Sequence, residues 1–128
     1  MGFETKRIAS APNAIAPTAP RFACCANYRA GPAIFSLPPN AVSKAVAHRT
    51  VEEVWYTLSG KGRMWRKLGD QEEIAELGPG VSLTIPTGTH FQFRSDGHEP
   101  LNAIGATMPP WPGENEAFFV DGAWQPTV

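Results

Sequence analysis

The stretch VAHRTVEEVWYTLSGKG, residues 46–62, holds the side chains best suited to chemistry. It contains one histidine, His48, and two adjacent carboxylates, Glu52 and Glu53, ahead of two aromatics and a Gly-x-Gly turn. Histidine is the commonest metal ligand and changes charge near neutral pH. Beside a carboxylate it offers either part of a metal site or an acid–base pair. In an extended strand, residues an even number apart share a face and residues an odd number apart do not. His48 and Glu52 therefore converge without distortion, whereas His48 and Glu53 converge only if RTVE bends or bulges. Spacing alone leaves both glutamates open.

The elements that must position these groups read as short strands. Turn signals are dense: LPPN (37–40), SGKG (59–62), LGD (68–70), GPG (78–80), PTG (86–88) and SDGHEP (95–100). Between them lie PAIFSL, EVWYTL, RMWRK, VSLTI, HFQFR and LNAIGAT, runs rich in β-branched and aromatic residues. Many short strands at this spacing predict an all-β sandwich or barrel. DQEEIAEL (70–77) has helical propensity, but eight residues closed by Gly-Pro-Gly are too few for a stable helix, so it reads as turn and strand. An uncharged Ala/Pro-rich segment within residues 1–20 predicts an extended arm. Residues 21–108 form the predicted barrel. Residues 109–128 form a Pro-rich tail expected to pack on it, with Trp111 as a latch or a lid.

At 128 residues the chain predicts one domain, large enough for a real core. A net charge of -1 argues against nucleic acid as the main partner. Cys24 and Cys25 are the only cysteines; as sequence neighbours they are poorly placed to bridge each other and read as reduced. No apolar run reaches signal-peptide or membrane-span length, so the expectation is a cytoplasmic protein.

The same residues resemble the two motifs of the cupin superfamily. The first motif is G-x5-H-x-H-x3-4-E-x6-G. Six residues separate Glu53 from Gly60 and four separate His48 from Glu53, so His48 takes the second histidine place and Val46 the first. The second is G-x5-P-x-G-x2-H-x3-N, matched by Gly80, Pro86 and Gly88, with Phe91 at its histidine and Ser95 at its asparagine. The resemblance implies a single all-β double-stranded β-helix, a jelly-roll cupin barrel. It also selects Glu53 over Glu52.

In the family, two histidines, the glutamate and the motif-two histidine surround one divalent metal. Here His48 and Glu53 alone are in register, and His90 falls one residue early. The resemblance thus implies either no cofactor, with His48 and Glu53 as a hydrogen-bonded pair, or one divalent metal (Zn, Ni, Fe or Mn) held by His48, Glu53 and a re-aimed His90. His48 and Glu53 are the catalytic candidates. Trp55, Thr57, Met64, Trp65, Phe91 and Phe93 are the candidate pocket walls, of an aromatic cavity with sparse polar anchors. Side chains filling the barrel solidly are the alternative. Arg63, in the basic run KGRMWRK, could hold an anion, although a solvated hairpin paired with DQEE is the simpler reading. His98 reads as exposed.

Two functions follow. One is a small-molecule-binding cupin with a degenerate metal site. The other is a metal-dependent isomerase, dioxygenase or lyase acting on a small carbonyl, sugar-like or aromatic compound. A homodimer is also expected, since an open sandwich leaves edges and an apolar outer face to cover.

Overall fold

The computed structural model describes residues 13–14, 21–23, 31–113 and 115–128. The remainder of the Ala/Pro-rich arm, and both cysteines, lie outside the described residues. The strands are β1 (Asn13–Ala14), β2 (Arg21–Ala23), β3 (Gly31–Leu37), β4 (Val46–His48), β5 (Glu52–Ser59) and β6 (Gly62–Leu68). They continue with β7 (Gln71–Leu77), β8 (Ser82–Ile85), β9 (His90–Ser95), β10 (Leu101–Met108) and β11 (Ala117–Phe119). No described residue is helical. The fold is all-β, as the turn spacing predicts, with the jelly-roll form that the resemblance implies, and DQEEIAEL forms the edge strand β7.

Two antiparallel sheets face each other. One runs β1-β2-β3-β10-β5-β8 and the other β11-β4-β9-β6-β7. Alternation decides what each sheet turns inward. Along β5, Glu53, Trp55 and Thr57 are buried while Glu52, Val54, Tyr56 and Leu58 are exposed. Leu101, Ala103, Gly105 and Thr107 do the same on β10, and Ala33, Phe35 and Leu37 on β3. Phe91 and Phe93 enter the same interior from β9, and Met64 from β6. Burial of such aromatic and aliphatic side chains supplies most of the favourable free energy of the fold.

Turn chemistry sets the registers that matter for the interior. Gly60 and Gly88 both have φ of 84°, a backbone state that side chains with a Cβ rarely adopt. Gly60 also lies so close to the Pro100 carbonyl that a Cβ would meet it at 2.4 Å. Gly88 donates its N–H to the His48 carbonyl at 3.2 Å, tying the β8–β9 turn to the end of β4.

The alternation breaks down on β4, where Val46, Ala47 and His48 are all buried. This strand is covered on both faces because the C-terminal segment crosses the outside of its sheet. Val120 donates to the Ala45 carbonyl at 3.0 Å, Thr127 to the Val42 carbonyl at 2.9 Å, and β11 pairs with β4. Gln92 holds the strap from below. Its amide donates to the carbonyls of Ser43 (2.8 Å) and Trp124 (2.7 Å), and its oxygen accepts from the Trp124 N–H at 2.9 Å.

Candidate functional site

His48 ends β4 and Glu53 lies near the start of β5, on opposite sheets. The chain bends at Arg49 and Thr50 between them. That bend lets two residues of odd separation face one another, and the Nδ1 of His48 lies 3.9 Å from the Oε2 of Glu53. Both side chains are buried, at 5% and 1% exposure. Glu52 is exposed on the other face of β5. A buried carboxylate and imidazole lower the cost of each other's desolvation, which explains their adjacency.

The bend itself is held by a residue with no signal in the sequence. Glu116, in the C-terminal segment, is 4% exposed. Its carboxylate accepts the backbone N–H groups of Arg49 and Thr50, each at 2.8 Å, and the Thr50 hydroxyl. Burial pushes the Glu116 carboxyl upward in pKa. The Thr50 hydroxyl, the two backbone N–H groups and the electrostatic influence of His48 outweigh that, and hold it below the ordinary glutamate value. Glu116 thereby positions the residue immediately after His48. No local pattern marks it, because its partners lie 66 residues away or more.

Aromatic rings enclose His48. Phe91 meets it edge-on with centroids 5.1 Å apart, and Trp111 does so at 5.1 Å from the tail. Thr107 lies opposite Glu53 in the β5–β10 register, and Gly105 lies opposite Trp55. The absence of a side chain at Gly105 makes room for the site: a Cβ there would stand 2.6 Å from Glu53 Oε1 and 2.7 Å from a Phe35 ring carbon.

Of the proposed pocket walls, Trp55 and Phe93 pack against each other at 4.9 Å, and Phe35 stacks on Trp55 at 4.9 Å. These three rings fill the interior beyond Glu53. The indole N–H of Trp55 and the hydroxyl of Thr57 are buried there without a hydrogen-bond partner among the described residues. Met64 faces this interior, whereas Trp65 does not. Trp65 lies in register with Gln92 on the outer face, so it is buried on the strap side of the sheet and lines no barrel cavity. Arg63 is also on that outer face. It bonds Asp96 at 2.8 Å and lies over the Trp124 ring, so it does not point at an interior anion. His98 is exposed.

Val46 and Phe91 are direct partners across β4 and β9 and occupy two of the four ligand places that the motifs define. His90 precedes Phe91 in an unbroken strand, pairs with Lys67, and so faces the opposite side. No bulge re-aims it. Among the described residues no group of three His, Cys, Asp or Glu side chains could hold a metal ion. Two protein ligands fall short of the three that open metal sites normally use. The described residues do not fit a resident divalent metal.

The two-sheet barrel and this motif placement agree with an independent match: residues 33–106 fit the family model of the cupin domain. The chain belongs to the cupin family. No curated protein sequence matches it. Solved structures similar to this cupin include Bacillus subtilis oxalate decarboxylase at pH 4.6, with 15% identity, a TM-score of 0.76, and coverage of 94% of this chain and 33% of that one. A deletion variant of the same enzyme matches with 17% identity and a TM-score of 0.72, over 82% and 30% of the two chains. A third structure, from work on the Mn(II) centres of that decarboxylase, matches with 16% identity and a TM-score of 0.74, over 89% and 31%. This cupin spans about a third of the length of those proteins. At such identity the likeness is one of fold. Among the described residues, no helix is long and apolar enough to cross a membrane.

Proposed function

We propose that this cupin is a small-molecule-binding protein whose ligand is read by the His48–Glu53 pair at the Trp111 end of the barrel, without a resident metal. The observation that carries this reading is the buried pair itself, 3.9 Å apart, with Phe91 and Trp111 edge-on to the imidazole. An imidazole and a carboxylate side by side present a donor and an acceptor to one ligand, and the surrounding rings supply apolar contact. Ligand sites in folded proteins commonly combine these elements. The unpartnered indole N–H of Trp55 and hydroxyl of Thr57, on the same face of β5 as Glu53, add polar groups deeper in the interior.

The test combines metal analysis with ligand screening. Protein purified without a histidine tag is expected to carry no stoichiometric metal. A panel of small carbonyl, sugar-like and aromatic compounds should yield ligands that raise the melting temperature of wild type but not of His48→Ala or Glu53→Gln. Near-stoichiometric manganese, iron, nickel or zinc would replace this reading with the metal-dependent enzyme. Ligands indifferent to both substitutions would remove the pair from the site.

A further inference from the structure

A separate cavity of about 260 Å³ opens between the free edges of the two sheets, lined by Arg66, Leu68, Gln71, Glu73, Thr84, Pro86 and Thr89. Arg66 shares the inward face of β6 with Met64 and lies in register with Phe91. Phe91 in turn contacts His48, so this ring stands between Arg66 and the pair described above. The guanidinium bridges the sheets: Nη1 donates to the Thr84 carbonyl at 2.6 Å and Nη2 to the Glu73 carboxylate. Its Nε–H is buried and has no hydrogen-bond partner among the described residues. Thr89, 2% exposed and lining the same cavity, likewise has a buried hydroxyl without a partner.

Buried donors are normally satisfied, and two on one cavity wall are unusual. A guanidinium presents Nε–H and an Nη–H as a fork that matches the two oxygens of a carboxylate. Glu73 now engages only the Nη2 tine, and its side chain is 54% exposed. An exposed ion pair of this kind is weak and easily exchanged. We infer that the Arg66 cavity binds a small organic carboxylate, which displaces Glu73, takes both tines of the Arg66 fork and accepts from the Thr89 hydroxyl. Leu68 and Pro86 provide apolar surface for the rest of the acid. Glu73 is the built-in competitor, covering the guanidinium until the acid arrives. This inference is independent of the His48–Glu53 reading.

The probe is benzoate, with benzamide as its neutral isostere, followed by calorimetry and amide NMR on the full chain. Benzoate should bind and benzamide should not. Arg66→Gln should abolish binding and Thr89→Val should weaken it. Glu73→Gln should tighten it, by about two- to fivefold, the strength of an exposed ion pair. That gain cannot come from misfolding. Amide signals of Arg66, Glu73 and Thr89 should move while the His48 ring signals stay. Equal binding of benzoate and benzamide, no gain in Glu73→Gln, or shifts confined to His48 would each overturn the inference, the last by placing the acid beside His48.

Discussion

Phe91→His is the exchange that most directly examines the site. Phe91 is 3% exposed, pairs with Val46 and lies edge-on to His48 at 5.1 Å. An imidazole in its place would face His48 and Glu53 and complete three ligands with an open position, a set suited to zinc or nickel. Two ligands of one tetrahedral zinc stand about 3.4 Å apart. The present 3.9 Å between His48 Nδ1 and Glu53 Oε2 therefore needs a small closure. Without metal, the exchange removes a packed apolar ring and buries two ring nitrogens, at a cost of about 1–3 kcal/mol. For a chain of this size each kcal/mol moves the melting temperature by about 4 °C, so the apo variant should melt roughly 4–12 °C below wild type. Metal at a hundredfold excess over its dissociation constant contributes about 2.7 kcal/mol and should restore most of the loss. The assay is a set of thermal melts of wild type and variant, with and without zinc or nickel. A variant that is destabilised and stays indifferent to metal would show that Phe91 is not in the ligand position. Strong stabilisation of wild type by metal would show that other residues already complete the set.

Gly105→Ala should destabilise the protein by about 1–3 kcal/mol, since its Cβ would collide with Glu53 and Phe35, and the thermal melt should drop accordingly. An unchanged melt would mean that the two side chains move aside freely. Glu116 has a folded-state pKa below its ordinary value of 4.5, so the stability it contributes is present above that pH and lost as pH falls through the depressed folded value. Urea midpoints between pH 3 and 7 should show this acid slope in wild type, and Glu116→Gln should flatten it while lowering stability at pH 7 by about 1–3 kcal/mol. A homodimer is also proposed, supported by the exposed row Val54, Tyr56 and Leu58 on β5 with Ile104 beside Tyr56. Light scattering at micromolar concentration should give twice the chain mass, and a monomeric mass would refute it.

Much of the barrel was legible because local rules act alone where one face of a strand is wet. On β5 the alternation of Glu53, Trp55 and Thr57 with exposed neighbours follows from sequence once the glutamate is chosen, and the resemblance to the first cupin motif, not the spacing alone, chooses it. The same rule fails where a sheet is covered twice. Met64 and Trp65 are consecutive and both buried, because the C-terminal strap shields the outer face that Trp65 shares with Gln92. Alternation then carries no information about which residue faces the interior. Glu116 and Arg66 escaped for a related reason. Each acts across a long loop closure, Glu116 on the bend after His48 and Arg66 on the Thr84 carbonyl of the facing sheet. A basic run at a hairpin looks solvated until the register shows that one of its members points inward.

The two missing ligand places are coupled by that same register. Val46 and Phe91 are direct cross-strand partners. Had only one of them been apolar, the histidine in the other place would, without metal, lie buried against a hydrocarbon neighbour, and an unsatisfied polar group of that kind costs about 1–3 kcal/mol. With both apolar, the pair packs as a normal cross-strand contact. The polar remainder contracts to His48 and Glu53, which still face each other. The arrangement with both places apolar is therefore a self-consistent packing of the described residues. Restoring one histidine alone, as in Phe91→His, is expected to be unfavourable until a metal arrives to satisfy it.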